Sequence, residues 1–143
     1  GDNVLYIARS AVNNLLSVDI GRGSRLPAWA TSMGRVLLSA LPDEQLNVTL
    51  SRINMIRYTP HTLNSLSALR EELARVRRQG YALADRQIEV GLCSLAVPLL
   101  SRNNQVVAAL NVGVPSASMS GAELKELALP ALRRVAMDLS LQL

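Results

Sequence analysis

Phenylalanine is missing from this chain, tryptophan, cysteine and histidine occur once each, and three tyrosines complete the aromatic set. Nucleic-acid bases stack on aromatic platforms, and so sparse a set cannot supply them. The single cysteine, Cys93, excludes an internal disulfide and fits a reducing compartment. One cysteine and one histidine, His61, cannot form a His/Cys metal cluster, so neither metal nor cofactor is expected. No apolar run reaches the roughly 18–20 residues that span a bilayer, and no signal-peptide pattern opens the chain. The expected setting is cytoplasmic, without membrane contact.

Catalytic signatures are missing too. There is no G-x-S-x-G elbow, no P-loop and no G-x-G-x-x-G after a strand. Gly21-Arg22-Gly23 is too short for a phosphate cradle and opens no obvious helix. A hydrolytic triad needs a base held against a nucleophile, yet His61 falls in a proline-containing loop. Asp85 and Glu89 are conceivable as a carboxylate pair, but they flank a loop as ordinary surface acids do. The chain does not read as an enzyme.

What is present describes one folded domain spanning residues 1–143. Hydrophobic residues make up 49% and charged residues 18% of 143 positions, enough to bury a core without staples. The net charge is +4, but the arginines cluster only at Arg75–Arg77–Arg78 and Arg133–Arg134, on the polar sides of predicted helices. Solvated helix faces explain them, and direct DNA binding by this segment is not expected.

The pattern along the chain is α+β. Val4–Ala8 and Leu15–Ile20 read as extended runs, with Gly21–Ser24 as turn or loop, which suggests a first hairpin. Thr31 is a candidate N-cap for a helix whose Met33, Val36, Leu37, Ala40 and Leu41 recur at helical spacing. Pro42-Asp43-Glu44 starts a shorter helix through Leu46 and Leu50. Tyr58–Thr62 is loop-like. Ser65 caps an amphipathic helix with Leu66, Leu69, Leu73 and Val76 on one stripe, a Glu71–Arg75 pair and Gly80 as its stop. Ser94–Leu100 and Gln105–Val114 form a long antiparallel hairpin across Ser101–Asn104. Ser120–Glu123 is a capping box, followed by a stripe of Leu124, Leu127, Ala131, Val135 and Leu139 that Pro130 should kink or break.

Two places are polar where apolar residues are expected. At Thr31-Ser32-Met33-Gly34 the first amides of a helix lack internal acceptors, and the macrodipole places positive charge there. Ser32 and Met33 could offer N–H groups to an anion, and Gly34 permits a close approach. An ordinary capped helix accounts for the same residues. In the hairpin, a turn centred on Asn103-Asn104 pairs Leu100 with Val107, Pro98 with Ala109, Ala96 with Asn111 and Ser94 with Gly113. One face then carries Leu95, Leu99, Val106, Leu110 and Val112, and the other ends in Ser94, Asn111 and Gly113. A buried Asn111 must satisfy both ends of its amide, with either a ligand or a neighbouring loop.

These same residues carry a resemblance. Leu26–Leu38, reading LPAWATSMGRVLL, resembles the pre-helix segment of effector-binding domains in the IclR family of bacterial transcriptional regulators. Gly80–Asp85 with Gly91–Pro98, and Val106–Val112 after them, are similar to the family's following motifs in the same order, so the likeness spans the chain. Ser24–Ala28, Thr31–Arg35, Thr59–Thr62 and Ala109–Val112 resemble the branch that regulates protocatechuate and β-ketoadipate catabolism.

The resemblance implies a GAF-like or profilin-like sensory domain: a curved, mainly antiparallel sheet flanked by helices, with a small-ligand pocket on one face. It implies a small carboxylate effector, a homodimer or homotetramer, and DNA binding only through an N-terminal winged helix-turn-helix that would precede Gly1. Position by position, the carboxylate-holding amides fall on Ser32 and Met33, and the pocket side chains near Asp85, Ser94, Asn111 and Gly113. Trp29 stands where many members have His, Ala84 where an acid is common and Cys93 where Arg is common; Trp29 would then offer an aromatic wall. An oligomerisation module with a filled pocket, or an enzyme acting on small acids, are the alternative functions.

Overall fold

The computed structural model describes residues 3–5 and 25–142, with side chains described from Pro27 onward. A short antiparallel pair joins β1 (Asn3–Leu5) to β2 (Arg25–Pro27). The extended run at Leu15–Ile20 and the turn at Gly21–Ser24 lie outside the described residues. β2, the partner of β1 among the described residues, is a stretch that the spacing reads as the approach to a helix. A 3₁₀ turn at Ala28–Ala30 leads into α1 (Ser32–Ser39), followed by α2 (Asp43–Ser51) and α3 (Leu66–Gln79). Three antiparallel strands, β3 (Ala82–Asp85), β4 (Leu92–Leu100) and β5 (Val106–Pro115), form a sheet in that order before α4 (Gly121–Ser140).

The helix signals act where local chemistry places them. Thr31 Oγ1 accepts from Gly34 N–H at 3.0 Å and starts α1. Ser65 Oγ accepts from Ala68 N–H, and Gly80, at φ +77°, ends α3 in the left-handed conformation that glycine adopts without cost. Both halves of the Ser120–Glu123 capping box are made. Four details differ from expectation. Arg75 pairs with Glu72 at 2.7 Å, not with Glu71. Leu66 at the start of α3 is exposed, while Leu69, Leu73 and Val76 are buried. Of the kink or break expected at Pro130, the break does not occur: α4 runs through this exposed residue, whose solvent-facing position lets water take the carbonyl it leaves unpaired. Ala40 is exposed and α1 buries residues all round, since it is covered on two sides.

The sheet separates two cores. Cys93, Leu95 and Val97 of β4 pack with Leu110, Val112 and Val114 against Leu124, Leu129 and Ala136 of α4. The buried stripe of α4 is thus rotated from the one its spacing suggested. Leu127 and Val135 are exposed, and Ala128 and Leu132 face the sheet instead. On the opposite face, small residues let α1 approach: Ala82 and Ala96 pack with Val36 of α1 and Val76 of α3. Beyond α1, Trp29, Leu38, Leu50, Leu69 and Leu73 close a helical core. The basic clusters are more than solvated faces. Arg77 donates to the carbonyls of Ser39 and Leu41 at the end of α1, and Arg133 to that of Gln79 at the end of α3. Among the described residues no helix is long and apolar enough to cross a membrane.

Candidate functional site

The site is built where α1 begins and the middle of the sheet passes beneath it. Thr31 occupies the amide of Gly34, and the amide of Arg35 donates to the Thr31 carbonyl at 3.0 Å. Ser32 and Met33 are the two positions of this first turn whose N–H groups have no acceptor within a helix. From the sheet, Ser94 Oγ donates to Ser32 Oγ at 2.8 Å, and both side chains are buried. Two hydroxyls in contact at a helix terminus can rearrange to accept or donate, which suits a polar ligand.

The register decides which other residues share that face. Ser94 lies opposite Gly113 on β5 and Ala84 on β3, and Ala96 lies opposite Asn111, as the turn chemistry indicated. Side chains of paired residues stand on the same face, so Asn111, half-buried, flanks Ser94 beneath α1. A side chain at Gly113 would press on Leu92 Cδ1 at 3.3 Å, so its absence leaves room beside Ser94. The register departs from expectation only at the hairpin end, where an irregularity between Leu99 and Leu100 pairs Leu100 with Val106 and not with Val107.

The remaining candidates lie elsewhere. Asp85 pairs with Cys93, which turns its side chain to the α4 face, away from Ser32 and Ser94. It is bidentate to Arg86, at 3.0 and 3.2 Å, and this hydrogen-bonded pairing holds the Arg86 guanidinium above its ordinary value. Trp29 is 3% exposed inside the helical core, with its ring centroid 6.0 Å from that of Tyr58. Met33 is half-buried between that core and the sheet.

Burial is the main cause that raises the Cys93 thiol from 9.0 to about 11, with nearby Asp85 adding to it. The thiolate is the reactive form, so Cys93 of the folded protein is expected to resist a thiol reagent at pH 8 and to react fully once denatured. Because the folded value is the higher one, this contribution to stability is present below pH 9 and is lost as pH rises toward 11. Reagent uptake with and without denaturant, and melting across that window, check both statements.

A polar network behind α1 is barely marked in the sequence. Arg35, buried, donates from Nε to the Trp29 carbonyl and from Nη2 to Gln87 Oε1, each at 2.8 Å. Gln87 Oε1 also accepts from Leu63 N–H, and its Nε2 donates to the His61 carbonyl. Thr59 and Thr62 donate their hydroxyls to the carbonyls of Arg86 and Gln87, so the Thr59–Thr62 loop clamps the β3–β4 corner. The only clue was a charged residue, Arg35, among the apolar positions of a short helix; its partner lies 52 residues away.

Residues 1–141 match the family described as bacterial transcriptional regulator IclR C-terminal. The Pca regulon regulatory protein of Pseudomonas putida is 44% identical over 144 residues, covering 100% of this chain and 50% of its own length. The chain thus spans about half the length of such relatives. The inducer-binding domain of the PobR transcription factor from Acinetobacter, a double mutant in complex with 3-hydroxybenzoic acid, superposes with a TM-score of 0.89 at 33% identity. That match covers 97% of this chain and 82% of the other. An IclR homologue from Microbacterium hydrocarbonoxydans complexed with 4-hydroxybenzoate gives a TM-score of 0.84 at 31% identity, covering 95% and 54%. The chain therefore belongs to the IclR family of bacterial transcriptional regulators and is its C-terminal, effector-binding domain.

Proposed function

We propose that this domain senses a small aromatic carboxylate of the hydroxybenzoate class, with the anion seated on the free N–H groups of Ser32 and Met33. The observation that carries this is the buried Ser94–Ser32 hydroxyl contact at the open end of α1, beneath which Asn111 and Gly113 share one face of the sheet. Two relatives of the same fold are complexed with 3-hydroxybenzoic acid and 4-hydroxybenzoate, which supports an aromatic acid over an aliphatic one. Charge-assisted hydrogen bonds contribute roughly 1.5–3 kcal/mol each; two or three of them, less the cost of immobilising the ligand, give a Kd of about micromolar to millimolar. Ser94 and Asn111 orient the ring substituents. Asp85 and Trp29 take secondary parts, acting through the β3–β4 corner and the packing behind α1.

Binding changes the geometry between subunits of a homodimer or homotetramer, and so the placement of DNA-binding domains N-terminal to this one. The exposed Leu127, Val135 and Met137 of α4 favour subunit contact. The domain works in the cytoplasm as a sensor and not as an enzyme. His61, its single histidine, is exposed on a loop where its backbone holds Thr59 and Gln87. Calorimetric titration with 4-hydroxybenzoate, 3-hydroxybenzoate, protocatechuate and β-ketoadipate tests the proposal. Saturable binding of at least one aromatic acid is expected, and silence from all four with a stable oligomer would favour a purely assembling module.

A further inference from the structure

Among the described residues, Arg35 is the only charged side chain that is fully buried, 2% exposed. Its hydrogen-bond partners there, the Trp29 carbonyl and the Gln87 amide, are both neutral. The ion pairs among the described residues, Arg75–Glu72, Arg77–Asp43 and Arg86–Asp85, do not include it. The acid whose field reaches it is Glu72, itself engaged with Arg75 at 2.7 Å. Burial lowers the guanidinium to about 10, which leaves it protonated at neutral pH. A buried cation held only by neutral acceptors is costly, so a fold that keeps one has an unmatched charge available.

The side chain also points the right way. From the fourth position of α1 it reaches back to the carbonyl of Trp29, three residues before Ser32, so its charge lies toward the N-terminal end of the helix, where the amides of Ser32 and Met33 have no helical acceptors. The first turn of α1 contains no acid to oppose it. Gln87 keeps the charge unmatched by presenting an amide oxygen where a carboxylate of the same shape would fit.

We propose that Arg35 is the charge-selecting residue of the effector site: its buried, unmatched cation makes the α1 end prefer anionic over neutral ligands, and the effector's carboxylate is its counter-charge. Arg35 acts through the field and through its hold on Trp29 and Gln87, without touching the ligand. This rests on the proposed carboxylate-sensing function.

The test compares 4-hydroxybenzoate with its neutral analogue 4-hydroxybenzamide by calorimetry on the full chain, for the native protein, two variants and a control. Gln87→Glu places a carboxylate against Arg35 and should lower the acid-to-amide affinity ratio about tenfold, the size of a unit charge roughly 12 Å away at an effective dielectric of about 20. Glu72→Gln removes the opposing field and should raise the same ratio about twofold, the size of a unit charge roughly 10 Å away when solvent screens it at an effective dielectric of about 80. Arg35→Met, as the control that removes the cation itself, should lower the ratio in the same direction as Gln87→Glu, whereas a merely structural Arg35 would move that variant's melting temperature and leave its ratio alone. If both variants fold and keep the native ratio, the assignment of Arg35 is wrong while carboxylate sensing stands. If Gln87→Glu does not fold, a ratio unchanged in Glu72→Gln overturns it alone. If the native protein binds neither compound, both proposals fall.

Discussion

Gly34→Ala is expected to cost about 3 kcal/mol or more of folding stability, although alanine is the better helix former by about 1 kcal/mol. A Cβ at position 34 would stand 2.1 Å from the Ala28 carbonyl oxygen, 2.4 Å from its Cα and 2.5 Å from its carbonyl carbon. All three are backbone atoms of the 3₁₀ turn, so no side-chain rotation relieves the clash. That turn is held by Thr31 Oγ1 and Thr31 N–H donating to the same Ala28 oxygen, and by Arg35 gripping Trp29. Moving it away would pull Trp29 out of a core it shares with Leu38, Leu50, Leu69 and Leu73. Thermal unfolding should show a midpoint lower by about 10 °C for a domain of this size. An unchanged or higher midpoint would mean that the 3₁₀ turn and α1 are not packed this closely.

Ser32→Pro should weaken carboxylate binding at least tenfold while leaving the fold largely intact. Proline suits the first position of a helix, where the N–H has no internal acceptor. Thr31, at φ −112° and ψ 153°, already has the extended conformation that a residue before proline needs. The helix thus loses little, but an anion loses one of two donors worth roughly 1.5–3 kcal/mol. Ser32→Ala separates the contributions, since it removes the hydroxyl bonded to Ser94 and keeps the amide. Binding by calorimetry should fall much further for the proline variant. Equal affinities in the two would show that the amide of Ser32 does not hold the anion.

The parts of this fold that sequence reveals are those fixed by short-range chemistry. Thr31, Ser65 and Gly80 bound helices through contacts within four residues, and the Asn103-Asn104 turn sets most of the β4–β5 register. The hairpin end escapes this logic. Ser101 N–H donates to the Gln105 carbonyl at 2.8 Å, Asn104 takes φ +59°, and the pairing slips by one residue at Leu100. The wrong stripe on α4 has a different cause. Leu124, Leu127, Ala131 and Val135 and the sheet-facing set of Leu124, Ala128, Leu132 and Ala136 are both apolar at helical spacing. Only contact with β4 distinguishes them.

The candidate site divides in the same way. Ser94, Asn111 and Gly113 follow from strand parity once the turn is known, and Ser32 and Met33 from the position of the cap. Asp85 required the β3–β4 register, which pairs it with Cys93 and so turns it to the other face. Trp29 required the helical core, where it is buried against Leu50, Leu69 and Leu73. Arg35 and Gln87 meet only through the tertiary fold.

The central claim is that a carboxylate binds at the start of α1, above Ser94. A crystal structure of the domain with 4-hydroxybenzoate at saturating concentration tests it most directly. Carboxylate oxygens are expected within hydrogen-bond distance of the Ser32 and Met33 amides, with the ring over Ser94 and Asn111. A carboxylate bound on the Asp85 side of the sheet, or a site left empty at saturation, would contradict it.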